Sequence, residues 1–197
     1  MIIYLIRHGE TTSDIEDRYG GYYDDHLTKK GIEETKELAE KLKDKGIQII
    51  FSSPKIRAKE TAEIVNKVLN VKLEIVNDLR ERNNYGILTG LIKSEAKKKY
   101  PKEVEKLEKD EIKHNIKNSE NYELFKKRIL NAFEKISNSD HYTVAIISHG
   151  GPIKCITREI LKLGEFKHLG DCAILEIKKE DNKISLVKII NASLYNL

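Results

Sequence analysis

Ile2-Ile3-Tyr4-Leu5-Ile6 runs straight into Arg7-His8-Gly9-Glu10-Thr11, and Val144-Ala145-Ile146-Ile147 runs straight into Ser148-His149-Gly150-Gly151. Short, nearly unbroken apolar runs of this kind read as strands buried on both faces. Each run therefore delivers a histidine to the carboxyl end of a buried strand, where open α/β sheets place their ligands. The glycine that follows each histidine lets the backbone approach a ligand closely.

The segments around these two runs alternate between strand and helix. Thr28 is the expected N-cap of a helix with Ile32, Leu38, Ala39 and Leu42 on one face, ended by Gly46. Ile47 to Phe51 reads as a second strand. Ser52-Ser53-Pro54 then supplies an N-cap ahead of a proline at the first helical position, with Ile64, Val65 and Val68 as the inner stripe. Leu73 to Val76 and Val144 to Ile147 follow as strands, and Gly151-Pro152 opens a helix through Ile153, Ile156, Ile160 and Leu161. Ala173 to Ile177 and Ile184 to Ile190 read as a closing strand pair. The expected fold is an α/β three-layer sandwich, a mostly parallel central sheet flanked by helices. Residues 92 to 136 are helical by pattern, with breaks at Pro101 and at Asn115 to Asn121. We therefore expect one domain over 1–197, with 91–122 as a helical lid insertion.

Composition excludes several function classes. The chain has 197 residues, 39% of them hydrophobic, which suits one core. Charged residues reach 35%, but 36 Lys+Arg against 32 Asp+Glu leave only +4, and the two signs are interleaved. That is a solvated surface rather than a nucleic-acid footprint. No apolar stretch approaches the roughly twenty residues of a membrane helix, and the N-terminal run is too short for a signal sequence. Cys155 and Cys172 lack metal-ligand spacing and read as buried structural thiols suited to a reducing cytoplasm. No metal or cofactor is expected, and oligomeric state is not legible.

A neutral imidazole nitrogen beside an arginine can attack phosphorus while the guanidinium holds phosphoryl oxygens in a bidentate fork. Arg57, in the first turn of its helix, adds a second fork where free N–H groups already favour an anion. Glu81, soon after the third strand, is placed to protonate a departing alkoxide, and like charge on an incoming phosphate would raise its pKa. His26, His114, His141 and His168 have no comparable setting and read as ordinary surface or core histidines.

Taken together, these residues resemble the histidine phosphatase superfamily, also called the phosphoglycerate mutase-like family, over essentially the whole chain. Arg7-His8-Gly9-Glu10-Thr11 matches its RHGET signature. Arg18, Gly21, Leu27, Thr28 and Gly31 match the stretch after it. Ser52-Ser53-Pro54 with Arg57, Ala58, Thr61 and Ala62 matches a second signature, and Ser148-His149-Gly150-Gly151 the closing one. The resemblance implies that His8 is the phosphorylated nucleophile, that Arg7, Arg57 and His149 form the phosphate pocket, and that Glu81 is the proton donor. It implies a substrate-binding set of Arg7, Thr11, Asp14, Gly20, Gly21, Arg57, Glu81, Tyr85 and Gly150, a small phosphorylated substrate, and no metal.

Three departures from the family pattern stand out. Asp14 replaces a usual Asn and would repel phosphate unless turned aside or paired with Arg18. Gly20 replaces a commonly polar residue. The stretch Glu81 to Gly86 is one residue longer than in typical mutases. The chain also lacks the proline-rich, arginine-bearing insertion of cofactor-dependent mutases. Asn118 to Tyr122 loosely resembles the loop of phosphatase members instead, with Glu120 and Tyr122 matching. A less enclosing lid leaves phosphohistidine open to water, so the expected activity is a metal-independent phosphomonoester phosphatase. A cofactor-dependent phosphoglycerate mutase and a non-catalytic phosphate-binding protein are the alternatives. Tyr19, Tyr22, Tyr23 and Tyr85 are candidates for contact with the organic moiety.

Overall fold

The first strand, β1 (Ile2–Arg7), sends alternate side chains to two different apolar clusters, Ile3 and Leu5 to one and Tyr4 and Ile6 to the other. That period of two is what a strand covered on both faces requires. The computed structural model describes residues 1–110, 112–114, 116–181 and 183–195. Its core is a mixed six-stranded sheet of order β3-β2-β4-β1-β5-β6. Here β2 is Ile49–Ser52, β3 Lys72–Ile75, β4 Thr143–Ser148, β5 Phe166–Glu180 and β6 Lys183–Leu194. The first four strands run parallel, while β5 and β6 form an antiparallel hairpin beside β1.

Helices cover both faces, which gives the three expected layers. Lys29–Leu42 (α2, after a single turn α1 at Thr12–Ile15) and Ile56–Leu69 (α3) bring Leu38, Ala39, Leu42, Ala58, Ala62 and Val65 onto Tyr4 and Ile6. Tyr122–Ser137 (α6) and Gly150–Glu159 (α7) bring Phe125, Ile129, Phe133, Ile153 and Ile156 onto Ile3 and Leu5. Each such fully buried Leu, Ile or Phe contributes about 1.5–3 kcal/mol of burial free energy, so both layers are held mainly by these contacts.

Two local features differ from the sequence reading. Thr28 caps α2 as expected, its hydroxyl accepting from Gly31 N at 2.9 Å. In contrast, α3 starts at Ile56 with Lys55 as N-cap, so neither Ser53 nor Pro54 occupies its expected place. The reason lies in another loop, since Asp24 Oδ1 accepts the Ile56 N–H at 2.8 Å and satisfies the first free donor from outside the segment. The hairpin also extends well beyond its apolar centre. Its polar ends pair through the backbone with register shifts, a ladder that alternation of side chains does not announce.

Between β3 and α6, Lys93–Lys99 (α4) and Pro101–Lys109 (α5) pack around a separate small cluster of Tyr19, Leu88, Ala96, Val104, Leu107 and Ile116. Pro101 sits at the start of α5, where its missing N–H costs nothing. Among the described residues no helix is long and apolar enough to cross a membrane.

Candidate active site

Neighbouring parallel strands present the two histidines. Arg7 and Ser148 are register partners at the ends of β1 and β4, and the rings of His8 and His149 lie 5.1 Å apart, edge to face. The backbone of His8 is held from both sides, its N–H donating to Ser148 O at 3.1 Å and its carbonyl accepting from Cys172 N at 3.1 Å. The ring bonds then assign its tautomer. Nδ1 lies 2.8 Å from Gly9 O, a pure acceptor, so Nδ1 carries the hydrogen. Nε2 accepts from Arg57 Nε at 3.1 Å and so holds the lone pair. Burial, with Arg57 and Arg7 adding to it, holds the His8 imidazole well below its usual pKa. His149 is held low by burial first, then by Arg57 and His8, and its Nε2 lies 2.7 Å from Ser53 Oγ.

Arg57 is tied more tightly than a free fork. Its Nη1 donates to Tyr23 O and to Asp25 Oδ1, both at 2.8 Å, and its Nη2 donates to Gly21 O at 2.7 Å. What it offers a substrate is its charge, its Nε beside His8 and one remaining Nη2 hydrogen. Asp25, which local sequence did not single out, is the buried counter-ion, with a side chain only 1% exposed. Burial pushes its carboxyl up, but the Arg57 guanidinium and the Ser13 and Thr11 hydroxyls outweigh that and leave it below the ordinary carboxylate range. Arg7 is braced by Leu169 O at 2.7 Å and by Asp171 at 3.2 Å, from the start of β5. Arg7 Nε and His149 Nδ1 are buried polar atoms with no hydrogen-bond partner among the described residues.

Glu81 lies against the N-terminal turn of α7. Its Oε2 accepts from Gly151 N at 3.0 Å and its Oε1 from Arg82 N at 2.7 Å. Gly151 is required for this, because a Cβ there would collide with the Glu81 carboxylate. The glycine after His8 has a different task from the one its position implied. A Cβ on Gly9 would come within 2.6 Å of Gly31 O, so Gly9 serves the packing of α2 on the strand end rather than approach of a ligand. Gly150, by contrast, has only Leu169 within 4 Å of such a Cβ and borders the cavity.

A cavity of about 740 Å³ opens at this sheet edge. Arg7, His8, Thr11, Asp14, Gly20, Gly21, Arg57, Glu81, Tyr85 and Gly150 all line it, and His149 is fully buried against the His8 ring. Asp14 is turned aside, its Oδ2 accepting from the Thr11 hydroxyl at 2.7 Å and Thr11 N at 3.0 Å, and it does not pair with Arg18. Arg18 donates to Glu16 and to Gly90 O instead. Of the four tyrosines singled out, only Tyr85 lines the cavity; Tyr19 is buried in the small cluster and Tyr22 lies under Lys55. His168 also lines the cavity, which its sequence setting did not announce, as do Lys154, Arg158 and Lys167. Glu120 lies outside the lining and pairs with Arg128. Cys155 is buried and Cys172 half-buried, both as free thiols. Among the described residues no group of three or more His, Cys, Asp or Glu is arranged to hold a metal.

The two buried histidines make stability acid-sensitive. Both have folded pKa values below the unfolded value of about 6.5, so below that pH the unfolded chain binds protons that the native one does not. Stability is therefore full above about pH 6.5 and falls as pH drops toward the folded pKa values, by up to about 1.4 kcal/mol per pH unit for each histidine. Urea unfolding between pH 7 and pH 5.5 checks this, and replacing His149 with Gln is expected to flatten the slope.

Comparison with known proteins bears on this arrangement. A model of the histidine phosphatase superfamily (branch 1) matches residues 3–192. The chain is 28% identical over 98% of its length to a Bacillus subtilis protein named "Uncharacterized phosphatase PhoE", covering 86% of that protein. It is 27% identical over 94% of its length to "Putative phosphoserine phosphatase 2" of Hydrogenobacter thermophilus, covering 93% of it. Among solved structures, a phosphoglycerate mutase from Bacillus anthracis superposes with a TM-score of 0.82 at 27% identity, covering 95% of this chain and 92% of the other. Paired histidines at adjacent strand ends, the arginines beside them and a match across nearly the whole length lead to one assignment: the chain belongs to the histidine phosphatase superfamily, branch 1.

Proposed function

We propose that the chain is a metal-independent phosphomonoester phosphatase of small metabolites that works through a phosphohistidine on His8. The observation that carries this reading is the tautomer of His8, with Nδ1–H held by Gly9 O and a lone pair on Nε2. A nucleophilic imidazole needs that state, and the depressed pKa keeps it neutral at ordinary pH.

In the first step Arg57 shifts its Nε–H from His8 to a phosphoryl oxygen, which frees the Nε2 lone pair. Nε2 then forms a bond to phosphorus while the bond from phosphorus to the ester oxygen breaks, and the departing oxygen takes a proton from Glu81. The charge spread over the phosphoryl oxygens in this loose transition state is met by Arg7, Arg57 and His149. In the second step water attacks the phosphohistidine, Glu81 takes the proton, and the P–N electron pair returns to Nε2. Thr11, Asp14, Gly20, Gly21, Tyr85 and Gly150 form the remaining wall around the substrate, and the segment 91–122 acts as the lid. A mutase would put the hydroxyl of a phosphorylated acid in place of water, and the solved mutase of similar fold keeps that reading in play.

Phosphate release from a panel of phosphomonoesters, in chelator-treated protein, tests the proposal. Included in the panel is 3-phosphoglycerate, assayed in parallel for 2-phosphoglycerate. We expect free phosphate from several esters and little isomer; isomer formation without phosphate release would replace the hydrolase with the mutase.

A further inference from the structure

We propose that Arg128, on α6 and outside the cavity, is a positioning residue that sets the aim of Glu81. The inference rests on the reading of Glu81 as the proton donor. Residues 80–85 form no helix or strand, so no ladder or helical turn holds the backbone at the acid. Arg128 supplies the missing order. Its Nη1 donates to Asp78 O at 2.8 Å and Arg80 O at 2.7 Å, and its Nη2 to Glu81 O at 3.1 Å. Nε and the second Nη2 hydrogen grip Glu120 at 2.7 and 2.8 Å. All five guanidinium donors are thus used, in a side chain 9% exposed.

Glu120 closes the clamp from the other side. Its Oε2 accepts from Asn83 N at 3.2 Å, and its own N–H donates to Asn83 O at 2.7 Å. The remaining carbonyl of the turn, Leu79 O, accepts from Ser148 Oγ at 2.7 Å, in the residue next to His149. Four successive carbonyls before and at the acid are therefore pinned, three of them by one side chain. A planar fork that binds three carbonyls and a carboxylate at once is beyond lysine or glutamine. Displacement of a general acid by even about 1 Å is costly, whereas an ester oxygen that departs without a proton does not sense it.

That difference supplies the test. The Arg128→Gln and Glu81→Gln variants and their double variant are assayed on glycerol 3-phosphate, whose alkoxide needs a proton, and on p-nitrophenyl phosphate, whose phenolate does not. Glu81→Gln is expected to lower kcat/KM, which reports transfer to His8 and not the later attack of water shared by both esters, by about 10²-fold on the alkyl ester and by much less on the aryl ester. Arg128→Gln is expected to lower kcat/KM on the alkyl ester about tenfold with the same selectivity, and to add almost nothing in the double variant. Equal losses on both esters, or a full further loss in the double variant, would overturn the positioning role. If Glu81→Gln itself lowers both esters alike, the acid assignment falls, and the role of Arg128 with it. Should Arg128→Gln fail to fold, Glu120→Gln keeps the guanidinium and loosens its bracket. It is expected to show the same ester selectivity at smaller amplitude, and its absence in a folded protein overturns the proposal.

Discussion

Replacing His8 with alanine is expected to lower turnover of every phosphomonoester by at least about 10⁴-fold, because it removes the nitrogen that forms the bond to phosphorus. Nε2 is the one imidazole nitrogen in the site assigned as an acceptor by its neighbours. His149 is fully buried, and its Nε2 is engaged by Ser53. The loss should appear in kcat, with the protein still folded by circular dichroism and still binding inorganic phosphate through Arg7 and Arg57. A variant retaining more than about a tenth of wild-type activity would remove His8 from the reaction.

Arg57→Met has the second-largest expected effect and acts at two levels. It removes the guanidinium beside Nε2 and a full positive charge from the phosphoryl site, for a loss of about 10³-fold in kcat/KM. It also strands Asp25, buried at 3% exposure, without its counter-ion, which costs about 3–5 kcal/mol of stability. The two effects separate in the double variant Arg57→Met, Asp25→Asn. There the uncompensated charge is gone, so urea unfolding should recover much of the stability while kcat/KM stays low. Recovery of activity along with stability would mean that Arg57 only holds the 21–25 loop in place.

How much of this was legible follows from how local each feature is. The two buried runs ending in Arg7-His8 and Ser148-His149 carry strand, direction and site in a few consecutive residues, and the alternation of β1 between two clusters follows from them. Thr28 as a cap is equally local, because the capped N–H lies three residues away. Features settled by distant partners were not legible. Asp24 moves the start of α3 from a loop 32 residues earlier, and Asp25 meets Arg57 across the same interval. Nothing beside Arg128 in the sequence marks it, because the carbonyls it binds lie 47 to 50 residues upstream. Asp14 resolves the same way in reverse. Its carboxylate is held by a capping bond to Thr11 three residues away, and not by the Arg18 that the sequence offered. The ends of the β5–β6 hairpin escape notice because backbone pairing there carries polar side chains.

The central claim is a covalent bond from His8 Nε2 to phosphorus, and rapid quenching of enzyme with a radiolabelled phosphomonoester tests it most directly. The account predicts up to one label per chain, labile in acid and stable in base, on the peptide that contains His8, and absent in His8→Ala. Steady phosphate release with no trapped label, or label on another residue, would contradict it.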